Sequence, residues 1–107
     1  MNLPPFQKSV ANFVIHNNLE IPITNRFLDF VSEVGELAKE VLTATDYGAQ
    51  PFGVPLAWED ELGDVFFSLI CIANASQVDM NFALESALVK YQARMEQRTD
   101  PSSAYKS

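Results

Sequence analysis

The chain has 107 residues, 48% of them hydrophobic and 20% charged, enough for one domain with a modest core and too few for two. Its net charge of −7 and isoelectric point near 4.4 argue against a nucleic-acid polymer or an anionic membrane as partner, because both repel an acidic surface. A polyphosphate remains an admissible ligand if cations bridge the two.

The single cysteine, Cys71, lies in an apolar run, so no disulfide framework exists within the chain, which fits a reducing cytoplasm. The start, MNLPPFQKSVANF, lacks the continuous apolar core of a signal peptide. The longest apolar run, from Val65 to Ala75, falls short of the ~20 residues that cross a bilayer. These features predict a soluble, cytoplasmic protein.

In chain order, a first helix is predicted from Phe6 to about Asn18, with Val10, Phe13 and Val14 at helical spacing. Pro22 punctuates the LEIPIT stretch. A second helix is expected to start at Thr24 or Asn25, either of which can cap it, and to run to about Thr45. Phe27, Phe30, Val31, Val34, Leu37, Ala38, Val41 and Leu42 give it a broad apolar stripe. DYGAQPFGVP, with two glycines and two prolines, is the clearest loop.

A third helix follows from about Ala57 to Gln77, and a fourth from about Met80 to Arg98, capped by Asp79. No segment alternates with period two for long. The reading is all-α: one four-helix domain over residues 1–98 and a polar, mobile tail over 99–107. From Val65 to Ala75 the third helix is apolar nearly all the way round, as a buried helix is. So small a chain can hardly enclose one helix completely. The expectation is therefore a second copy, in an obligate homodimer or a dimer of dimers (a homotetramer); the alternative is a monomeric bundle with this helix at its centre.

Two stretches carry the chemistry. EVGELAKE, Glu33 to Glu40, and EDELGD, Glu59 to Asp64, both read as helix, and each sets a carboxylate three positions from another. Residues three apart share a face, about 60° around and about 4.5 Å along the axis. Glu33 therefore neighbours Glu36, Glu61 neighbours Asp64, and Glu40 extends the first row. Val34, Leu37, Ala38, Leu62 and Val65 surround these acids, so the acid faces border the core. Two such pairs meeting across a bundle would repel strongly without cations. Four carboxylates in one small volume suit hard cations, magnesium in particular, with manganese as a second candidate. The plain alternative is a solvated acidic face. A carboxylate di-iron site would want Glu-x-x-His on two helices, and the one histidine, His16, belongs to no such motif.

EVGE followed by ELGD resembles the signature of the MazG-like all-α nucleoside triphosphate pyrophosphohydrolases. The similarity runs from about Phe13 to Arg98 and includes ELGDVFFSLICIA and the basic last helix ALVKYQARMEQR. By that resemblance Glu33, Glu36, Glu61 and Asp64 would hold Mg²⁺, and Lys90 and Arg94 would contact the triphosphate. The implied reaction is Mg²⁺-dependent hydrolysis of a (deoxy)nucleoside triphosphate to the monophosphate and pyrophosphate, in a homodimer or larger assembly that clears surplus or non-canonical nucleotides. Glu36 and Glu33 are the candidate catalytic carboxylates, and which acid serves as base stays open.

The resemblance thins at the base and sugar pocket. Leu19 and Thr43 stand where some relatives carry tryptophans, and Asn74 stands where another branch carries arginine. Trp58 is either a core or interface anchor or a ligand contact; Asn74 is either a satisfied buried amide or a substrate contact. Two further functions stay open: hydrolysis of a related pyrophosphate-linked metabolite, such as a phosphoribosyl-ATP-like compound, and a non-catalytic helical dimer with a regulatory or partner-binding role.

Overall fold

The structure, a computed structural model, describes residues 2–99. Four helices appear in order: α1 (Pro5–His16), α2 (Ile23–Ala44), α3 (Trp58–Ala75) and α4 (Met80–Thr99). Among the described residues there is no strand. The expected tail lies outside the described residues, apart from Thr99, which ends α4.

The helix ends follow from local chemistry. α1 opens on Pro4 and Pro5, where proline's missing amide is harmless, and the Pro4 carbonyl accepts from Gln7 N and Lys8 N at 3.0 Å each. It closes with Asn18 in the left-handed region, φ 54°, and Leu19 N donating to Val14 O at 2.9 Å. α2 departs from expectation: neither Thr24 nor Asn25 caps it. The helix starts earlier, at Ile23, because Pro22 fixes the entry and its carbonyl accepts from Asn25 N and Arg26 N. Past Ala44 the chain leaves the helix through left-handed Asp46, Tyr47 and Gly48, steadied by the Thr45 hydroxyl, which donates to Val41 O at 2.7 Å and accepts from Gly48 N at 3.0 Å.

Glu59, Asp60 and Glu61 occupy the first turn of α3, where the helix dipole favours negative charge. α3 ends at Ala75, two residues before the predicted end, because Gln77 takes the left-handed conformation, φ 57°. Asp79 caps α4 as its type and position predicted, its carboxylate accepting from Phe82 N at 3.1 Å.

Extended packing joins α2 to α3 and α1 to α3. Ile70, Cys71 and Ala73 of α3 are the buried hydrophobic centre. Phe6 stacks on Phe66 at 5.7 Å, and Phe13 meets Phe67 edge-on at 6.0 Å. Burial of α3 is less complete than the sequence suggests: Ser68 and these three residues are enclosed, while Phe66 remains 50% exposed.

Nor do the four helices close into a bundle within one chain, because α4 leaves α3 at 101°. The radius of gyration is 18.3 Å, against about 13 Å for a compact chain of this length. Among the described residues no single helix is long and apolar enough to cross a membrane.

Candidate metal centre

The packing of α2 on α3 brings the two acidic motifs together. Glu33 of α2 and Glu61 and Asp64 of α3 place carboxylate oxygens within 4.8 Å of one another. Glu33 and Glu61 are half-buried and Asp64 is exposed, so the cluster opens to solvent on the Asp64 side. Glu36 lies outside this trio, one helical turn along the α2 row and exposed. Glu40, half-buried, was noticed in the sequence only as the continuation of that row.

Electrostatics show that all five acids share one field. Partial burial pushes the Glu61 carboxyl above its ordinary value, and Asp64, Glu40, Glu36 and Glu33 raise it further, in that order. Glu40 thus acts on Glu61 more strongly than Glu36 does. The signal that could have found it was its place on the row set by Glu33 and Glu36, one turn further along. Three convergent carboxylates, with oxygen donors only and space on the solvent side, fit a hard divalent cation such as Mg²⁺.

The structure does not bring Lys90 and Arg94 to these acids within one protomer. Both are exposed on α4 and flank the Tyr91 ring, with Lys90 Nζ at 5.1 Å and Arg94 Cζ at 5.7 Å from its centroid. A helix rise of about 1.5 Å per residue and the bend between α3 and α4 put Lys90 on the order of 20 Å from Asp64 along the same chain.

Asn74 resolves as a structural amide: its Nδ2 donates to Gln7 O at 3.0 Å and its Oδ1 accepts from Gln7 Nε2 at 3.0 Å. Trp58 is half-buried, with Phe52 of the preceding loop edge-on at 5.2 Å. Towards the far end of the α2–α3 pair, α1 helps enclose a cavity of about 350 Å³. Val14, Ile21, Arg26, Cys71 and Asn74 help to line it. The Arg26 guanidinium donates to the Leu19 carbonyl there. Burial pushes the Cys71 thiol up, Arg26 opposing and Asp29 adding to that shift.

Residues 25–101 match the model of the MazG nucleotide pyrophosphohydrolase domain, most of the chain and both acidic motifs. The chain belongs to the MazG nucleotide pyrophosphohydrolase family. Its fold is similar to the crystal structure of the Bacillus-conserved MazG protein, a nucleotide pyrophosphohydrolase, with a TM-score of 0.67, 26% identity, and coverage of 85% of this chain and 93% of that one. It is also similar to the uncharacterized protein YpjD of Bacillus subtilis (strain 168), at 35% identity over 69 residues. That match covers 62% of this chain and 60% of the relative's length. The α2–α3 acid cluster lies inside the matched MazG segment, whereas α1 lies before it.

Proposed function

We propose that this MazG-family protein hydrolyses (deoxy)nucleoside triphosphates to the monophosphate and pyrophosphate in a Mg²⁺-dependent reaction, as a cytoplasmic clearance activity on surplus or non-canonical nucleotides. The convergence of Glu33, Glu61 and Asp64 within 4.8 Å, in a chain of this family, carries the reading. Glu33, Glu61 and Asp64 would hold the ion, with Glu36 and Glu40 enlarging the negative field around it. Mn²⁺ suits the same oxygen donors. When bound there, Mg²⁺ would supply neutralisation of phosphate charge and a more acidic water.

The chain's own residues supply positioning and proton transfer. Glu36, exposed beside the cluster, orients a water against the α-phosphorus and takes its proton. The water oxygen forms the new bond to the α-phosphorus, the bond from that phosphorus to the bridging oxygen breaks, and pyrophosphate leaves with the electron pair. Lys90 and Arg94 stabilise charge on the departing pyrophosphate.

Those two cations are remote from the acids of their own chain, so the reading places them over the site of a second copy. The apolar surface supports that arrangement. Leu28 on α2 is 68% exposed and Phe82 on α4 is 69% exposed, and Val31, Leu84, Leu88 and Val89 are exposed as well. So much open apolar surface on an extended protomer fits an obligate homodimer, or a tetramer built from dimers.

The test is pyrophosphate release from a panel of canonical and modified dNTPs and NTPs, with and without Mg²⁺, for wild type beside Glu36→Gln and Asp64→Asn. Metal-dependent release that both substitutions abolish, with helicity retained, supports the reading. No release from any nucleotide overturns it in favour of a binding module or another pyrophosphate-linked substrate.

A further inference from the structure

Gln7 is a polar residue with no exposed surface, near the start of α1 and far in sequence from every acid of the site. Its side chain spans three elements. Nε2 donates to Asn74 Oδ1 at 3.0 Å near the end of α3, and to Val78 O at 2.8 Å in the turn that follows. Oε1 accepts from Met80 N at 2.7 Å, at the first residue of α4. The Gln7 carbonyl accepts from Asn74 Nδ2 at 3.0 Å, so the two amides clasp one another. Every polar atom of the Gln7 carboxamide is used, in an arrangement of two donors and one acceptor that glutamate or leucine cannot reproduce.

This clasp sits at the corner where α4 turns away from α3 by 101°. Past the corner α4 has no extended packing against α1, α2 or α3. The turn has local bonds of its own, Val78 N to Ala73 O at 2.9 Å and Phe82 N to the Asp79 carboxylate at 3.1 Å, and Gln7 is what ties it to α1. The Met80 amide is one of the donors that a helix N-terminus leaves without an internal partner, and Gln7 rather than a local cap satisfies it. The lever is long. Lys90 lies about 15 Å along α4 from Met80, so a swing of about 10° at the corner displaces it by about 2.5 Å.

We infer that Gln7 is a positioning residue: it fixes the heading of α4 and thereby the placement of Lys90 and Arg94. The functional half of this inference rests on the reading that those two cations serve the triphosphate. The geometric half stands on the hydrogen bonds alone.

The experiment separates the two halves. Nitroxide labels at Asp60→Cys on α3 and Ala93→Cys on α4, in a Cys71→Ala background diluted with unlabelled chain, report the intrachain distance by pulsed dipolar spectroscopy. With Gln7 present the distribution is narrow; Gln7→Leu broadens or shifts it. Should Gln7→Leu fail to fold, Gln7→Glu keeps the side-chain shape and the acceptor for Met80 N, and takes its place. In steady-state kinetics the same variant raises KM for the nucleotide about tenfold or more through misplacement of the cations. Its Mg²⁺ affinity, measured by calorimetry, stays at the wild-type value, because the acid cluster lies on α2 and α3. A folded variant with an unchanged distance distribution overturns the inference. A changed distribution with wild-type KM overturns its functional half. If wild type releases no pyrophosphate, the proposed function falls, and the distance measurement still decides the role of Gln7.

Discussion

Glu33 on α2 and Glu61 on α3 hold carboxylate oxygens within 4.8 Å of each other across the helix pair, with Asp64 completing the group. If the proposed site holds Mg²⁺, replacing one of these oxygens takes away a ligand. Glu61→Gln is expected to weaken Mg²⁺ binding in calorimetry and to lower pyrophosphate release about 100-fold or more, since metal charge stabilisation is worth several kcal/mol. Wild-type turnover in this variant would remove the cluster from the mechanism.

The same residue sets a pH dependence. The folded protein raises the Glu61 carboxyl above its ordinary value of 4.5, through burial and then Asp64, Glu40, Glu36 and Glu33. A group whose folded pKa is raised contributes stability below its unfolded pKa and loses that contribution as pH rises through the folded value. The metal-free protein should therefore melt at a higher temperature as pH falls from neutrality into the region just above 4.5. Glu61→Gln should flatten that component of the profile. Mg²⁺ should reverse the trend, stabilising most near neutrality, because protons compete with the ion for the same oxygens.

Asn74 and Gln7 form a closed pair of hydrogen bonds, with Gln7 fully buried and Asn74 half-buried. Asn74→Ala deprives the buried Gln7 of two hydrogen bonds. Urea denaturation should show a loss of about 1–3 kcal/mol. A loss within error of zero would mean that the corner is far wetter than the burial of Gln7 indicates.

Cys71 is 5% exposed and burial raises its thiol above the ordinary 9.0. The protonated, enclosed sulfur is a poor nucleophile. Iodoacetamide at pH 8 should modify it slowly in the native protein and promptly after denaturation, as followed by mass spectrometry. Equal rates in both states would show that α3 opens on the timescale of the reaction.

Leu28 and Phe82 project apolar surface from two different helices of one protomer. If a second copy covers them, Leu28→Asp and Phe82→Asp should each shift sedimentation from a dimer or tetramer towards monomer and lower activity together with assembly. Sedimentation of wild type as a monomer at micromolar concentration would contradict the assembly on which the placement of Lys90 and Arg94 depends.

Much of this was legible in the residues themselves. The apolar stripe of α2, the turn-forming DYGAQPFGVP loop and the Asp79 cap are local properties, set by spacing and side-chain chemistry within a few positions. The pairing of Glu33 with Glu36, and of Glu61 with Asp64, is likewise fixed by the helical repeat. Where local reading missed, a neighbour had intervened: Pro22 opened α2 ahead of Thr24 and Asn25, and left-handed Gln77 ended α3 early.

What spacing could not decide is which rows meet. Only the packing of α2 against α3 put Glu33 beside Glu61 and brought half-buried Glu40 into the field around Glu61. Only the folded chain shows Gln7 reaching Asn74, Val78 and Met80 at the corner where α4 turns away from α3. Helices arise from contacts a few residues apart, and one sequence window records them. The bonds of Gln7 join residues 67 to 73 positions apart, and for those the folded chain is the record.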